Sequence, residues 1–259
     1  MATFLFSSTV FGPVFSRRLG MSLGINLLPN TKKVCNYNCI YCECGLSGDY
    51  SLGNEKLPSR NQVKKYLEER LKKAAETGEK IDTITFAGNG EPTLHPHFHE
   101  IIDDVLELRL KLYPEAKIAV LSNATLINNN QIFESLQKAD MNILKLDSLV
   151  EQTQRLMNCP AANFSLNNLI EGLKLFRGSL IIQTMFIRGT YNGVKIDNTT
   201  GDELNLWLDA LMKIQPQSVM IYTIARDTPV TGLEKISQTL LEDIARLVRE
   251  KGIETIVSC

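Results

Sequence analysis

Three cysteines fall within eight residues, Cys35-Asn36-Tyr37-Asn38-Cys39-Ile40-Tyr41-Cys42, the one stretch of the 259-residue chain where soft thiolate ligands gather. Thiolates at this density invite a metal. The spacing, three residues and then two, is not the paired Cys-x-x-Cys knuckle of structural zinc, whose tetrahedron needs four ligands. A cube of four irons ordinarily takes four cysteines, so three would leave one iron open to a substrate or cofactor. A zinc site completed by Cys44 or by a histidine is the alternative. A second constellation is Gly88-Asn89-Gly90-Glu91-Pro92-Thr93-Leu94-His95-Pro96, a glycine-rich turn holding one carboxylate. Glycines permit close backbone approach, and Glu91 could pair with an ammonium group. Short polar side chains recur further on, at Ser122-Asn123-Ala124-Thr125, Lys145-Leu146-Asp147-Ser148 and Gln183-Thr184. They suit a ribose or a carboxylate, and equally the capping of helices. His95, His97 and His99 are close in sequence, but Pro96 interrupts them, which fits a cap or a contact with the substrate edge better than a metal trio.

The elements that must position these groups are legible from periodicity. Residues 11–28 open with turn chemistry and pass into an apolar, glycine-punctuated stretch, placing a first strand at about 22–28 with the cysteine loop directly after it. Helical spacing of Val63, Tyr66, Leu67 and Leu71 predicts a helix over about 61–75. Strands then follow at 82–87, 117–122, 142–146, 180–187, 218–223 and 253–257, with helices at about 97–111, 129–138, 149–157, 164–177, 202–213 and 237–250. Alternating strands and helices make a parallel sheet with right-handed crossovers. Six or seven such units are enough for a complete or partly open barrel, and in parallel barrels the working groups gather at the carboxyl ends of the strands.

Length and a 44% hydrophobic content fit a single domain over residues 1–259, with 1–30 as N-terminal segment and first strand and 31–50 as the cysteine loop. The formal net charge of -1 lacks the basic footprint of a general nucleic-acid binder. No 18-residue apolar run and no basic leader with a small-residue cleavage site is present, so a cytosolic protein without a membrane partner is expected. Six cysteines are too few for a disulfide scaffold; Cys44, Cys159 and Cys259 read as ordinary thiols. Arg17, Arg18, Lys32, Lys33, Lys145, Arg188 and Arg226 lie near predicted strand ends or the cysteine loop and, as a set, favour an anionic substrate or cofactor.

Together, the Cys-x3-Cys-x2-Cys run with Tyr41 before its last cysteine and the Gly88–Pro92 turn about 50 residues later resemble the cluster loop and Gly-Gly-Glu-Pro motif of the radical S-adenosylmethionine (radical SAM) superfamily. The resemblance implies an α/β fold, a single-domain partial (β/α)6-type barrel. It implies that Cys35, Cys39 and Cys42 hold a [4Fe-4S] cluster whose open iron takes the amino and carboxylate groups of S-adenosylmethionine. Tyr41 would lie beside the adenine. Gly88, Asn89, Gly90 and Glu91 would receive the methionine amino group, although Asn89 replaces the commoner glycine. Ser122, Asn123 and Asp147 would contact the ribose or carboxylate, and the stretch containing Tyr222 resembles the sixth strand, which borders the adenine.

The chemistry implied is reductive cleavage of S-adenosylmethionine to a 5′-deoxyadenosyl radical that abstracts hydrogen from a substrate, with electrons from a flavodoxin- or ferredoxin-type reductant. The segments 12–20, 88–96, 144–147 and 221–226 further resemble compact bacterial radical SAM proteins classed with the wyosine-type tRNA-modifying enzymes, without those enzymes' additional cysteine cluster or long extensions. A tRNA base is the substrate this favours, met by Arg17, Arg18, Arg226 and Lys33 at phosphates. A peptide or protein substrate, a small metabolite, and a non-catalytic zinc- or iron–sulfur-binding structural protein are the other readings.

Overall fold

The computed structural model describes residues 4–47 and 53–259, so the tail of the expected 31–50 loop and residues 1–3 lie outside the described residues. Eleven strands and seven α-helices are described. The first strand, β1 (Val10–Ser16), forms an antiparallel hairpin with β2 (Gly20–Ile25). Then come α1 (Arg60–Thr77), β3 (Thr83–Phe86), α2 (Phe98–Leu112), β4 (Lys117–Ser122), α3 (Asn130–Gln137) and β5 (Met141–Lys145). The second half contains α4 (Glu151–Asn158), α5 (Leu166–Lys174), β6 (Ile181–Met185), β7 (Ile187–Tyr191), β8 (Val194–Asp197), α6 (Gly201–Ile214), β9 (Ser218–Tyr222), β10 (Leu233–Lys235), α7 (Gln238–Glu250) and β11 (Glu254–Ser258).

Eight strands form one curled sheet in the order β1-β2-β3-β4-β5-β6-β9-β11, parallel from β2 onward. β1 and β11 are its two edges, so the barrel is partial, as expected, with an open seam. The helices pack outside the sheet because their apolar stripes match its outward residues. Val63, Leu67 and Leu71 of α1 are wholly buried in the same core as Ile84, Phe86, Ile118, Val120, Leu144, Ile182 and Val219. At about 1.5–3 kcal/mol for each large side chain removed from water, that layer is the main attraction holding helices to sheet. Local signals agree with it: Ser59 and Gln62 form a capping box at the start of α1, and Gly78 ends that helix with φ 68°.

Two features depart from the periodicity reading. The first barrel strand is Gly20–Ile25 rather than 22–28, and 10–16 is a strand instead of a turn. Glycine and proline at 12 and 13 hide β1 in the sequence. What holds it is tertiary: a Cβ on Gly24 would stand 2.0 Å from the Phe11 ring, so the missing side chain makes room for that ring. The expected strand 180–187 also ends early. The Phe186 N–H crosses to Tyr222 O at 2.8 Å, after which β7, β8 and β10 make a separate three-stranded sheet, order β10-β7-β8. Ile187 and Ile196 of this small sheet pack with Tyr37, Ile40 and Tyr41, roofing the cysteine loop.

Candidate active site

The cysteine loop is sutured to the barrel along both flanks. On one side Val34 N–H donates to Asn89 O at 2.8 Å and Glu91 N–H to Val34 O at 3.1 Å. On the other, Asn38 N–H donates to Asn158 O at 2.9 Å, Ile40 N–H to Met157 O at 3.0 Å, and Ala161 N–H to Asn36 O at 3.0 Å. The turn glycines are what allow the first seam. A Cβ on Gly90, whose φ is 139°, would lie 1.8 Å from Val34 O, and one on Gly88 would lie 2.3 Å from Asn26 Oδ1. Their role in the structure is thus close approach of the cysteine loop.

The three sulfurs meet donors of their own. Cys35 Sγ accepts from Tyr37 N–H at 3.4 Å and Asn123 Nδ2 at 3.6 Å, and Cys39 Sγ from Asn158 Nδ2 at 3.4 Å. Burial pushes the Cys35 thiol up to about 12 and the Cys39 thiol up to about 11. A hydrogen bond from the Cys44 thiol, supported by the Lys33 ammonium, holds Cys42 well below the ordinary range, and the same bond raises Cys44. Burial alone would lower Lys33; Cys42, Cys39 and Cys35 together outweigh it and hold the ammonium above the usual lysine range. Lys33 also donates to Gly45 O at 3.0 Å. It is therefore buried against the thiols, and the expectation that it meets substrate phosphates is corrected.

This donor set fits an iron–sulfur cube. Hydrogen bonds to ligand sulfurs and a nearby charge are the features by which a protein tunes such clusters, and here each sulfur has one or the other. The histidines do not gather: His95 is buried with Nε2 toward Pro58 O at 2.9 Å, whereas His97 pairs with Glu100 at 2.6 Å. His95 braces a turn, bonding Pro58 O through Nε2 and accepting the His97 N–H at Nδ1.

Glu91 is only 2% exposed, and burial raises its carboxyl against the pull of its hydrogen bonds. Oε1 accepts from Thr93 N–H (3.1 Å), Thr93 Oγ1 (2.6 Å) and Ser122 Oγ (2.8 Å), and Oε2 from Asn123 N–H (2.6 Å). Three of the four donors converge on Oε1 and one on Oε2, so the carboxylate is held chiefly through Oε1, and an ammonium at Glu91 would have to share Oε2 with the Asn123 N–H. Ser122 and Asn123 are thereby locked to Glu91, and Asn123 reaches on to Cys35 and to Asn36 Oδ1 at 2.7 Å. Asn89, expected at the methionine amine, points elsewhere: its amide bonds Phe6 N–H, Phe6 O and Pro29 O.

Asp147 is 1% exposed. Its Oδ2 takes the Tyr41 hydroxyl and Asn158 Nδ2 at 2.8 Å, its Oδ1 takes Met185 N–H at 2.9 Å, and Lys145 stands 3.4 Å away. Tyr41 is held beneath the roof by these same groups. Asn158 links Cys39, Tyr41 and Asp147, yet nothing in its sequence position at the end of a helix marks it. Lys33, two residues before Cys35, had at least proximity as a signal. Tyr222 lies at the end of β9, where its hydroxyl accepts from Gln183 Nε2 at 3.2 Å. Beside it a cavity of about 260 Å³ is lined by Arg17, Arg18, Tyr41, Cys42, Glu43, Met185, residues 222–226 and Ser258. Arg17 and Arg18 belong to the β1–β2 turn at the amino end of β2, and reach this cavity on the side of the open seam.

The sequence profile of the Radical SAM superfamily matches residues 30–204, which include the cysteine loop, the Gly88–Glu91 turn and Asp147. The chain belongs to the radical SAM superfamily. Members of it bind a [4Fe-4S] cluster and S-adenosylmethionine. A UPF0026 protein of Synechocystis sp. is 33% identical over 85% of this chain and 77% of its own length, which places the chain in that family also. A UPF0026 protein of Helicobacter pylori is 32% identical over 84% of the chain and 66% of its own length. Among solved structures, SuiB of Streptococcus suis bound to S-adenosylmethionine shares the fold at TM-score 0.63 and 16% identity, over 91% of this chain and 50% of its own. TYW1 with a lysine-pyruvate adduct shares it at TM-score 0.62 and 14% identity, over 88% of this chain and 73% of its own. The chain thus spans about two thirds of the Helicobacter relative and half of SuiB. Among the described residues no helix is long and apolar enough to cross a membrane.

Proposed function

We propose that this chain is a radical SAM enzyme holding its [4Fe-4S] cluster on Cys35, Cys39 and Cys42 and abstracting hydrogen from a base in tRNA. The observation that carries the first part is the set of three buried or half-buried cysteines, each with its own hydrogen-bond donor or buried cation, in a loop fixed at the mouth of the barrel. When bound, the cluster and S-adenosylmethionine supply the reductive C5′–S cleavage that yields a hydrogen-abstracting radical.

The protein's part is positioning and exclusion of water. Asn123, Asn158 and Lys33 bear on the ligand sulfurs, Glu91 fixes Asn123, and Asp147 with Asn158 fixes Tyr41. The small β7–β8–β10 sheet covers the loop, and Tyr222, Met185 and Cys42 line the cavity where cofactor and substrate would meet. Gly88, Gly90 and Glu91 would then act on the cofactor through the cysteine loop they dock. Electrons come from a flavodoxin- or ferredoxin-type reductant, in the reducing cytoplasm where free thiols persist.

A base in RNA is supported by what surrounds the cavity. Phe15, 75% exposed on the edge strand β1, stands two residues from exposed Arg17, a pairing suited to stacking and phosphate contact. Anaerobic reconstitution should give about four irons per chain and a paramagnetic-resonance change with S-adenosylmethionine, both lost in the triple Cys→Ala variant. A nucleoside should also disappear from the tRNA of a deletion strain. Iron retained without the three cysteines would overturn the cluster assignment. An unchanged nucleoside profile, with a peptide mass altered instead, would transfer the substrate to the peptide class.

A further inference from the structure

The charged side chains lining and flanking the 260 Å³ cavity divide by partner. Arg226 is paired with Glu43 at 2.6 Å, and Lys145 with Asp147 at 3.4 Å. Among the described residues Arg18 meets only neutral groups. Its Nη1 donates to Gln183 Oε1 at 2.5 Å, and its guanidinium carbon lies 4.6 Å from the centre of the Tyr222 ring. Gln183 is held in turn by its bond to the Tyr222 hydroxyl at 3.2 Å, so the surface on which Arg18 rests is fixed from two sides.

A guanidinium carries five N–H donors in a rigid fork, and Gln183 occupies only one of the side-chain donors. A half-buried cation without a countercharge, as Arg18 is among the described residues, is costly to keep. The turn that carries it also fills the barrel floor, where Leu19 packs with Ala119, Ile143, Ile181 and Met220. Floor packing needs Leu19; it gives no account of a charge directed at Gln183 and Tyr222.

We propose that Arg18 recognises an oxyanion of the substrate, a carboxylate or phosphate group, bound in this cavity between the β1–β2 turn and the cysteine loop. The inference rests on the radical SAM reading and deepens it by assigning the substrate a negative charge at a defined place. Gln183 precedes Met185 by two residues on β6, and Met185 packs with Tyr41 and Cys39. At the rise of a β-strand, the anion would sit about 7 Å below the layer that meets the cluster loop. A group anchored there would turn its neighbouring carbons toward Cys42. The fork of Arg18 matches two oxygens of one oxyanion, a geometry lysine cannot reproduce.

The test titrates the protein, reconstituted and supplied with S-adenosylmethionine, with inorganic phosphate and separately with malonate, using chloride at equal ionic strength as control and calorimetry as the readout. One of the two anions should saturate a single site in the wild type. Arg18→Gln should weaken that binding at least tenfold, and Arg18→Lys should fall between, while iron content and the cofactor-induced resonance change persist in both. Preference for phosphate or for malonate identifies the oxyanion. Binding of neither anion above chloride, or Arg18→Gln binding within twofold of wild type, overturns the proposal. The same titration on protein as purified separates the two readings: anion binding that depends on Arg18 in a chain that takes up no iron would sink the cluster assignment and leave the anion site standing.

Discussion

On the β3–β4 side of the barrel mouth the polar groups named above are satisfied within the chain. Glu91 accepts four hydrogen bonds, Asn89 ties three backbone groups, and Gly90 lets Val34 approach until a methyl group would not fit. On the β9–β11 side the barrel holds a cavity, an arginine that meets only neutral groups among the described residues, and exposed Arg17 and Phe15 on the hairpin that borders the open seam. One side has exchanged solvent for internal partners and fixes the cysteine loop; the other keeps Arg18 against neutral groups only among the described residues and leaves Arg17 and Phe15 exposed. Ligand sites are found where a rigid scaffold leaves such groups unmatched, so the contrast locates both the holder and the opening.

The contrast breaks most severely at Gly90. Gly90→Ala adds a methyl group 1.8 Å from Val34 O at a φ of 139°, so the loop must move. The expected loss is about 3 kcal/mol in urea unfolding, with reconstituted iron falling well below wild type. Normal stability and iron would mean that the closed side is not what positions the loop.

Glu91→Gln is the next largest. The amide turns one acceptor into a donor facing donors already present, and the expected destabilisation is about 1–3 kcal/mol. Its measurement also decides between two roles. A residue that directly holds the methionine ammonium, as the sequence reading expects, would leave the unfolding midpoint unchanged and lower only cofactor affinity, by roughly 10- to 100-fold. A residue that braces Asn123 lowers both the midpoint and the iron content.

The smallest effect belongs to the open side. Arg226 and Glu43 are 71% and 47% exposed along their side chains, and pairs of this kind contribute little once solvent screens them. Arg226→Ala should therefore shift stability by no more than about 0.5 kcal/mol. A loss near that of Glu91→Gln would show the seam to be as firmly built as the opposite wall.

Residue types and their spacing determined the chemistry and the fold class. Cys35, Cys39 and Cys42 are close in sequence, and so a local pattern could disclose them; β3, β4, β5 and β9 each lie in place because a short, continuously buried apolar run is also a local pattern. The strand-end residues Glu91, Ser122, Asn123 and Asp147 were legible as positions, since a parallel barrel presents its strand ends at one mouth. Their partners were not.

What only the tertiary structure decided is which groups are already satisfied. Asn158 meets Cys39 across 119 residues, and Arg18 meets Gln183 across 165. No periodicity encodes contacts at such separation, because they depend on how far the sheet curls and on which side it stays open. β1 escaped for the same reason: its order comes from the Phe11 ring lying on the bare backbone of Gly24, a packing event that the composition of residues 10–16 does not announce. Sequence fixes which donors and acceptors the chain has, whereas the curl of the sheet fixes which of them find each other, and among the described residues it sets Arg18 against neutral groups alone.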